Sequence, residues 1–263
     1  MSTVTALYRY PVKSMLGERL DTADLTTTGL RGDRAWALLD RTTAKVASAK
    51  NPRLWRALLQ ARASLDGAAV RITLPDGTLV SGDEELSRWL GRPVTLADTP
   101  PDGAELDRAV PEEVLAEGVS ADVAVEQITI GAGAPPGAFV DFAPVHLIGT
   151  ATLRATGAEA VRYRPNLVVD TGAAYEENAW VGRTLRIGTA VLRVIAPTPR
   201  CAVPTLEHGD LPRSPDALRV PARENLVEPL PGMGDRACAG AYAQVVRPGR
   251  ISVGDRATFE TDR

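Results

Sequence analysis

AYAQVVRPGRISVGDRATFE, residues 241–260, is the stretch that decides the fold class. Ala241 to Val246 reads as a strand, Pro248 and Gly249 turn a corner, and Ala257 to Glu260 resumes the strand pattern. Working back from this end, Leu167 to Asp170, Thr184 to Ile187 and Ala190 to Ile195 predict further short strands, with a helix near Asp216 to Leu226 between them and the last pair. Thr150 to Thr156 predicts a short helix whose first turn Thr150 would cap, and Gln127 to Ile130 another strand. At the other end, Val4 to Tyr10 alternates as a strand, and Leu20 to Leu25 and Ala35 to Leu39 follow in the manner of a meander. Asn51 and Pro52 start a helix that places Leu54, Trp55, Leu58 and Leu59 on one face. Ala69 to Leu74 and Thr78 to Val80 form a hairpin around Pro75-Asp76-Gly77, Asp83 caps a helix ending near Leu90, and Val94 to Ala97 closes this half. From Asp98 to about Ala124 the chain is rich in Pro, Asp, Glu and Gly without a sustained period, which predicts a surface linker with one helical turn. The expectation is a mainly β fold with a few helices, a β-rich α+β chain, divided into residues 1–118 with the linker and residues 119–263.

Composition narrows the chemistry. A chain of 263 residues with 44% hydrophobic and 24% charged residues builds a core without disulfide or metal staples. Its net charge of -3 lacks the basic balance of many nucleic-acid binders, so no nucleic-acid partner is expected. The opening residues lack a basic segment followed by an apolar stretch, and no apolar run reaches membrane-spanning length, so a soluble, cytoplasmic protein with no membrane partner is expected. Two cysteines, Cys201 and Cys238, suffice for one disulfide but not for an iron-sulfur cluster built by one chain, so an iron-sulfur electron donor would be another protein. The chain carries no GxxxxGK[ST], no GxGxxG after a strand and no HExxH.

Several residues remain as candidates. Cys201 lies in PTPRCAVPT, where three prolines disfavour regular structure and Arg200 places a permanent charge beside the thiol, a setting that favours the thiolate, with a buried structural cysteine as the equal alternative on this segment alone. Cys238, in RACAGAY, reads as a small packing residue. Arg162, Arg164 and Asn166 in RYRPNLVVD form an anion-binding rim or a solvated edge. Lys13, Ser14, Arg31 and Arg34 offer donors for phosphate oxygens or carboxylates, with pairing to Asp33 as the simpler role for either arginine. Only three lysines, Lys13, Lys45 and Lys50, are present, and only two histidines, His146 and His208. Cys201, His208 and Asp210 nominally offer nucleophile, base and orienter, but catalytic partners usually converge from distant segments.

Taken in order, YRYPVKS, GLRGDRAW, SAKNPRLW, RYRPNLVVD, PTPRC and AYAQVVRPGRISVGD resemble the MOSC family, in the form that carries an N-terminal MOSC β-barrel domain ahead of the MOSC β-barrel domain. Within it the pattern is similar to the mitochondrial amidoxime-reducing component and its bacterial relatives. That resemblance implies a molybdenum-cofactor (molybdopterin) oxidoreductase that reduces N-hydroxylated or N-oxide compounds by oxygen-atom transfer to molybdenum. It implies Cys201 as the metal ligand and catalytic residue, with Lys13, Ser14, Arg34, Thr150, Thr152, Arg164, Asn166, Arg200 and Tyr242 as cofactor contacts. It further implies a small N-oxygenated substrate and a separate electron-donor protein of ferredoxin, cytochrome or flavin type. Met15 stands where many relatives carry cysteine, and Gly149 supplies no side chain to the cofactor rim. Two other functions fit the same residues: sulfur transfer through a Cys201 persulfide, and cofactor binding without catalysis.

Overall fold

In the computed structural model, which describes residues 2–260, seven strands close into a barrel. Around the ring they are Val145–Gly149, Leu167–Val169, Ser2–Arg9, Arg256–Phe259, Thr184–Ile187, Ala190–Pro199 and Arg236–Arg247, and Leu147 opposite Ala241 closes it. Neighbours are antiparallel except Val145–Gly149 and Leu167–Val169, whose parallel pairing requires a crossover. The helices Thr150–Thr156 and Ala160–Tyr163 supply it. Alternation along each strand turns Val4, Leu147, Val169, Leu185, Ile187, Leu192, Val194 and Ala243 into one shared interior.

The first strand of the chain is thus a stave of the barrel that the C-terminal half builds. Its Ser2 faces Ala257, and its Ala6 faces Val168. The exchange runs the other way at the Pro248 corner, where Gly249–Ser252 pairs with Thr22–Thr26 and brings Ile251 against Ala23 and Leu25. A second core gathers Val12, Met15, Leu38, Trp55, Leu58, Ile72, Leu86 and Val94. Around it lie the pair Ala37–Asp40 with Val94–Ala97, the hairpin Arg62–Asp66 with Ala69–Thr73, and the helix Asp83–Leu90.

Four local expectations are corrected. The stretch after Asp98 is ordered structure: Glu105–Ala109 pairs along its length with Val125–Thr129, and the helix Pro111–Glu117 fills the connection. Its apolar signal is thin because Leu106, Ala109 and Val114 are the hydrophobic side chains it buries in these elements. Asp83 is the first helical residue and not the cap, and its carboxylate instead accepts the Leu96 N–H at 2.9 Å. Thr150 is likewise the first helical residue, and its hydroxyl faces Asp170. The helix begun at Pro52 tightens to a 3-10 turn at Arg56–Gln60, so Leu54 is left half-buried while Trp55, Leu58 and Leu59 are buried.

Candidate cofactor cleft

Strand pairing between Ala190–Pro199 and Arg236–Arg247 slips register three times, the last between Pro197 and Pro199. The prolines offer no N–H to the ladder, so the strand disengages there, Arg200 makes one last backbone bond to Ala237 at 2.8 Å, and the chain turns through Val203–Thr205. Cys201 sits at that break. It is a free thiol on the wall of a cleft lined from both halves of the chain.

Of the ten residues that the resemblance implies for the site, eight line this cleft: Lys13, Ser14, Arg34, Arg164, Asn166, Arg200, Cys201 and Tyr242. Thr150 and Thr152 do not. Thr152 is fully buried, donating its hydroxyl hydrogen to Glu177 at 2.8 Å and accepting the Tyr175 N–H at 2.8 Å, while Thr150 Oγ1 is 3.0 Å from Asp170 Oδ1. Glu177 also accepts the Gly149 N–H at 2.6 Å, so this group holds the start of the helix, and none of its residues lines the thiol's cleft. Arg31 pairs with Asp24 at the surface, whereas Arg34 pairs with Asp33 beneath the cleft. His208 turns Nδ1 to Leu206 O at 3.0 Å and Asp210 is exposed, so these two do not form the nominal hydrolase arrangement with Cys201. Cys238 is buried and unpaired, with burial pushing its thiol up to about 11, as suits a packing residue.

The cleft is cationic, and its cations are held by backbone carbonyls more than by acids. Arg164 donates to Met15 O at 2.6 Å, Arg34 to Arg164 O at 2.9 Å, and Arg200 to Ala239 O at 3.0 Å. The two guanidinium groups of Arg34 and Arg164 both lie against the Tyr10 ring, at 5.1 and 4.3 Å from its centroid. Burial and the neighbouring Arg34 pull Arg164 down to about 10. Arg164 Nη2 and Arg200 Nε are buried with no hydrogen-bond partner. Of the five non-glycine residues with left-handed backbone among the described residues, three, Ser14, Arg34 and Arg164, line this one cleft. Strain concentrated in that way marks a place where side-chain position outranks backbone comfort.

Sequence reasoning missed Lys50, Asp141 and His146 as cleft residues. Lys13 donates to Asp141 at 2.6 Å and to Phe139 O at 2.7 Å, and Lys50 reaches the other Asp141 oxygen at 3.2 Å. Burial pulls Lys13 down to about 8 against the pull of Asp141. Burial alone would raise Asp141, but the two ammonium groups hold it well below the usual carboxylate range. His146 faces Arg200 Nη1 through Nε2 at 3.2 Å. Since a guanidinium can only donate, Nε2 accepts, and burial with the charge of Arg200 keeps the ring neutral. The usable signals were the scarcity of lysine and histidine: Lys50 and His146 are among only three and two such residues.

A second cleft adjoins the first and shares Lys50, Asp141, Arg200, Cys201 and Tyr242 with it. Among the described residues no three His, Cys, Asp or Glu side chains converge as a metal cage. No helix among them is long and apolar enough to cross a membrane.

Comparison with known proteins gives the site its context. The chain is 26% identical over 247 residues to a molybdenum cofactor sulfurase of Drosophila grimshawi, a match covering 81% of this chain and 29% of that protein. It is 23% identical over 302 residues to mitochondrial amidoxime-reducing component 1 of Mus musculus, covering 97% of this chain and 81% of the relative. Component 2 of Rattus norvegicus is 22% identical over 245 residues, covering 79% and 67%. A MOSC N-terminal beta barrel domain matches residues 1–100, and a MOSC domain matches residues 138–258. The chain therefore belongs to the MOSC family, in the form that joins these two domains.

Proposed function

We propose that this protein is a molybdenum-cofactor-dependent oxidoreductase that reduces N-hydroxylated or N-oxide compounds. The observation that carries the reading is the convergence, on the cleft of one free cysteine, of cations from both halves of the chain, two of which keep an unpartnered buried N–H. A pterin bearing a phosphate matches that donor set: the guanidinium groups of Arg34, Arg164 and Arg200 and the Lys13 ammonium suit phosphate oxygens. Asn166, Ser14 and Tyr242 add polar contacts for ring edges. A soft thiolate suits molybdenum, and with no cage of acids and histidines the remaining ligands would come from the cofactor itself. When bound, the cofactor would supply a metal that accepts the substrate's oxygen atom, with two electrons and two protons from a separate donor protein completing the reduction to the amine-type product and water. The chain's own part is to hold that group with Cys201, to fix Arg200 through neutral His146, and to leave the second cleft open toward the thiol. The relatives named as amidoxime-reducing components support the reaction class.

Metal and pterin analysis of protein from a host that makes the cofactor tests this reading. Near-stoichiometric molybdenum in the wild type, lost or spectroscopically altered in Cys201→Ser, is the expected result. Metal-free, pterin-free protein from a competent host would sink it. The sulfurase relative favours a second reading, in which Cys201 carries a persulfide. Label from radioactive sulfur donated by cysteine through a desulfurase would then appear on Cys201.

A further inference from the structure

The second cleft differs from the first in its walls. Phe142 stacks at a tilt on Tyr242 with centroids 5.4 Å apart, and Pro199 lines the cleft near Cys201. The lining also includes the turn after Glu228, whose carboxylate accepts the N–H groups of Gly232 and Gly234 at 2.9 and 3.3 Å and so holds Leu230 and Met233 in place. Met233 keeps 40% of its surface exposed, a large apolar side chain left wet at the mouth of a cleft. Basic groups meet this apolar wall. Lys50, Arg108 and Arg200 line the cleft against one carboxylate, Asp141, which Lys50 already shares with Lys13. Arg108 is set by its strand, where the Ala109 N–H bonds Lys50 O at 3.0 Å. Its Nε is buried without a partner, and its one acid, the largely exposed Glu126, is 3.8 Å away. A cleft with apolar sides, a cationic end and an unmet guanidinium N–H is complementary to one kind of molecule.

We propose that this second cleft binds an organic acid with an apolar body, its carboxylate against Arg108 and Lys50 and its body against Phe142, Leu230 and Met233. As a binding site it stands by itself; as the description of what reaches Cys201, it rests on the function proposed above and makes the N-oxygenated substrate a carboxylate-bearing one. Nucleotides and sugars fit less well, since the apolar wall offers their hydroxyl groups nothing to bond.

Calorimetric titration of the full chain with 4-phenylbutyrate, against the neutral and nearly isosteric 4-phenylbutanamide, tests the proposal. The acid should bind at least tenfold more tightly than the amide, with affinity falling as salt rises. Arg108→Gln should remove that preference, and Met233→Ser should weaken acid and amide alike. Glu126→Gln, an exposed change that leaves the fold intact, should tighten the acid by releasing Arg108, and it decides the matter if Arg108→Gln fails to fold. Equal affinity for acid and amide, or a preference untouched by both Arg108→Gln and Glu126→Gln, overturns the proposal. Because binding needs no metal, protein that binds the acid but never acquires molybdenum would sink the oxidoreductase reading alone. Molybdenum-loaded protein indifferent to the charge would sink this inference alone.

Discussion

Two buried bases carry consequences that pH alone can read. His208 is almost wholly buried, its Nε2 has no partner, and burial pushes its imidazole down to about 4. The folded-state value lies below the ordinary 6.5, so as pH falls the unfolded chain takes up the proton first. The stability due to neutral His208 is therefore complete above about 6.5 and is lost as the pH falls toward 4. By thermal melts from pH 7 to 4, the wild type should lose about 3 kcal/mol more than His208→Gln, each referred to its own value at pH 7. Lys13 titrates on the alkaline side. Held down to about 8, it sheds its charge where an exposed lysine is still protonated, so inorganic pyrophosphate should bind the ligand-free cleft on the order of tenfold more weakly at pH 9 than at pH 7. Lys13→Met should flatten that dependence, as followed by calorimetry.

The helix Thr150–Thr156 separates residues that look alike in sequence. Thr152 lies in a segment whose resemblance implied a cofactor contact, yet its hydroxyl joins Glu177 and the Tyr175 N–H behind the helix start. Thr152→Val should cost about 1–3 kcal/mol of stability in denaturant unfolding and leave the metal content per folded chain unchanged. The strand Arg236–Arg247 supports the opposite face of the site. Gly240 has φ +80°, and a β-carbon there would lie 2.5 Å from His146 Nε2 and 2.6 Å from Leu147 O. Gly240→Ala should cost about 2 kcal/mol or more and loosen Arg200, read as weaker anion binding in whatever folded protein remains. Strands with strict alternation, such as Thr184–Ile187, were legible in the sequence to the residue, whereas local composition left Cys201, Arg164 and Asn166 with two readings each and only the resemblance joined them as one site. Asp141 and Lys50 were not legible, since their role arises only when residues 91 positions apart meet through one carboxylate. The strand Glu105–Ala109 was hidden for another reason: a surface hairpin that buries Leu106 and Ala109 leaves the rest of its residues free to be charged.

At the scale of the molecule, the first strand completes the barrel of the C-terminal half, and the Pro248 corner pairs back onto the N-terminal half. The barrel core therefore draws on both halves, while the second core is built from residues 12–94 alone. Unfolding should then be one cooperative transition, coincident by calorimetry and circular dichroism, and residues 119–263 expressed alone should lack a melting transition. Two separate transitions would show the halves to be independent. The left-handed backbone at Ser14, Arg34 and Arg164 and the crowded guanidinium groups around Tyr10 add a further property. Assembling like charges on a strained frame is work done during folding, before any ligand arrives, and an anion that settles among them returns part of it. At a hundred times its dissociation constant such an anion stabilises the fold by about 2.7 kcal/mol through mass action. In a cell, the amount of this protein that survives proteolysis would follow the supply of that anion, making abundance itself a gauge of the ligand.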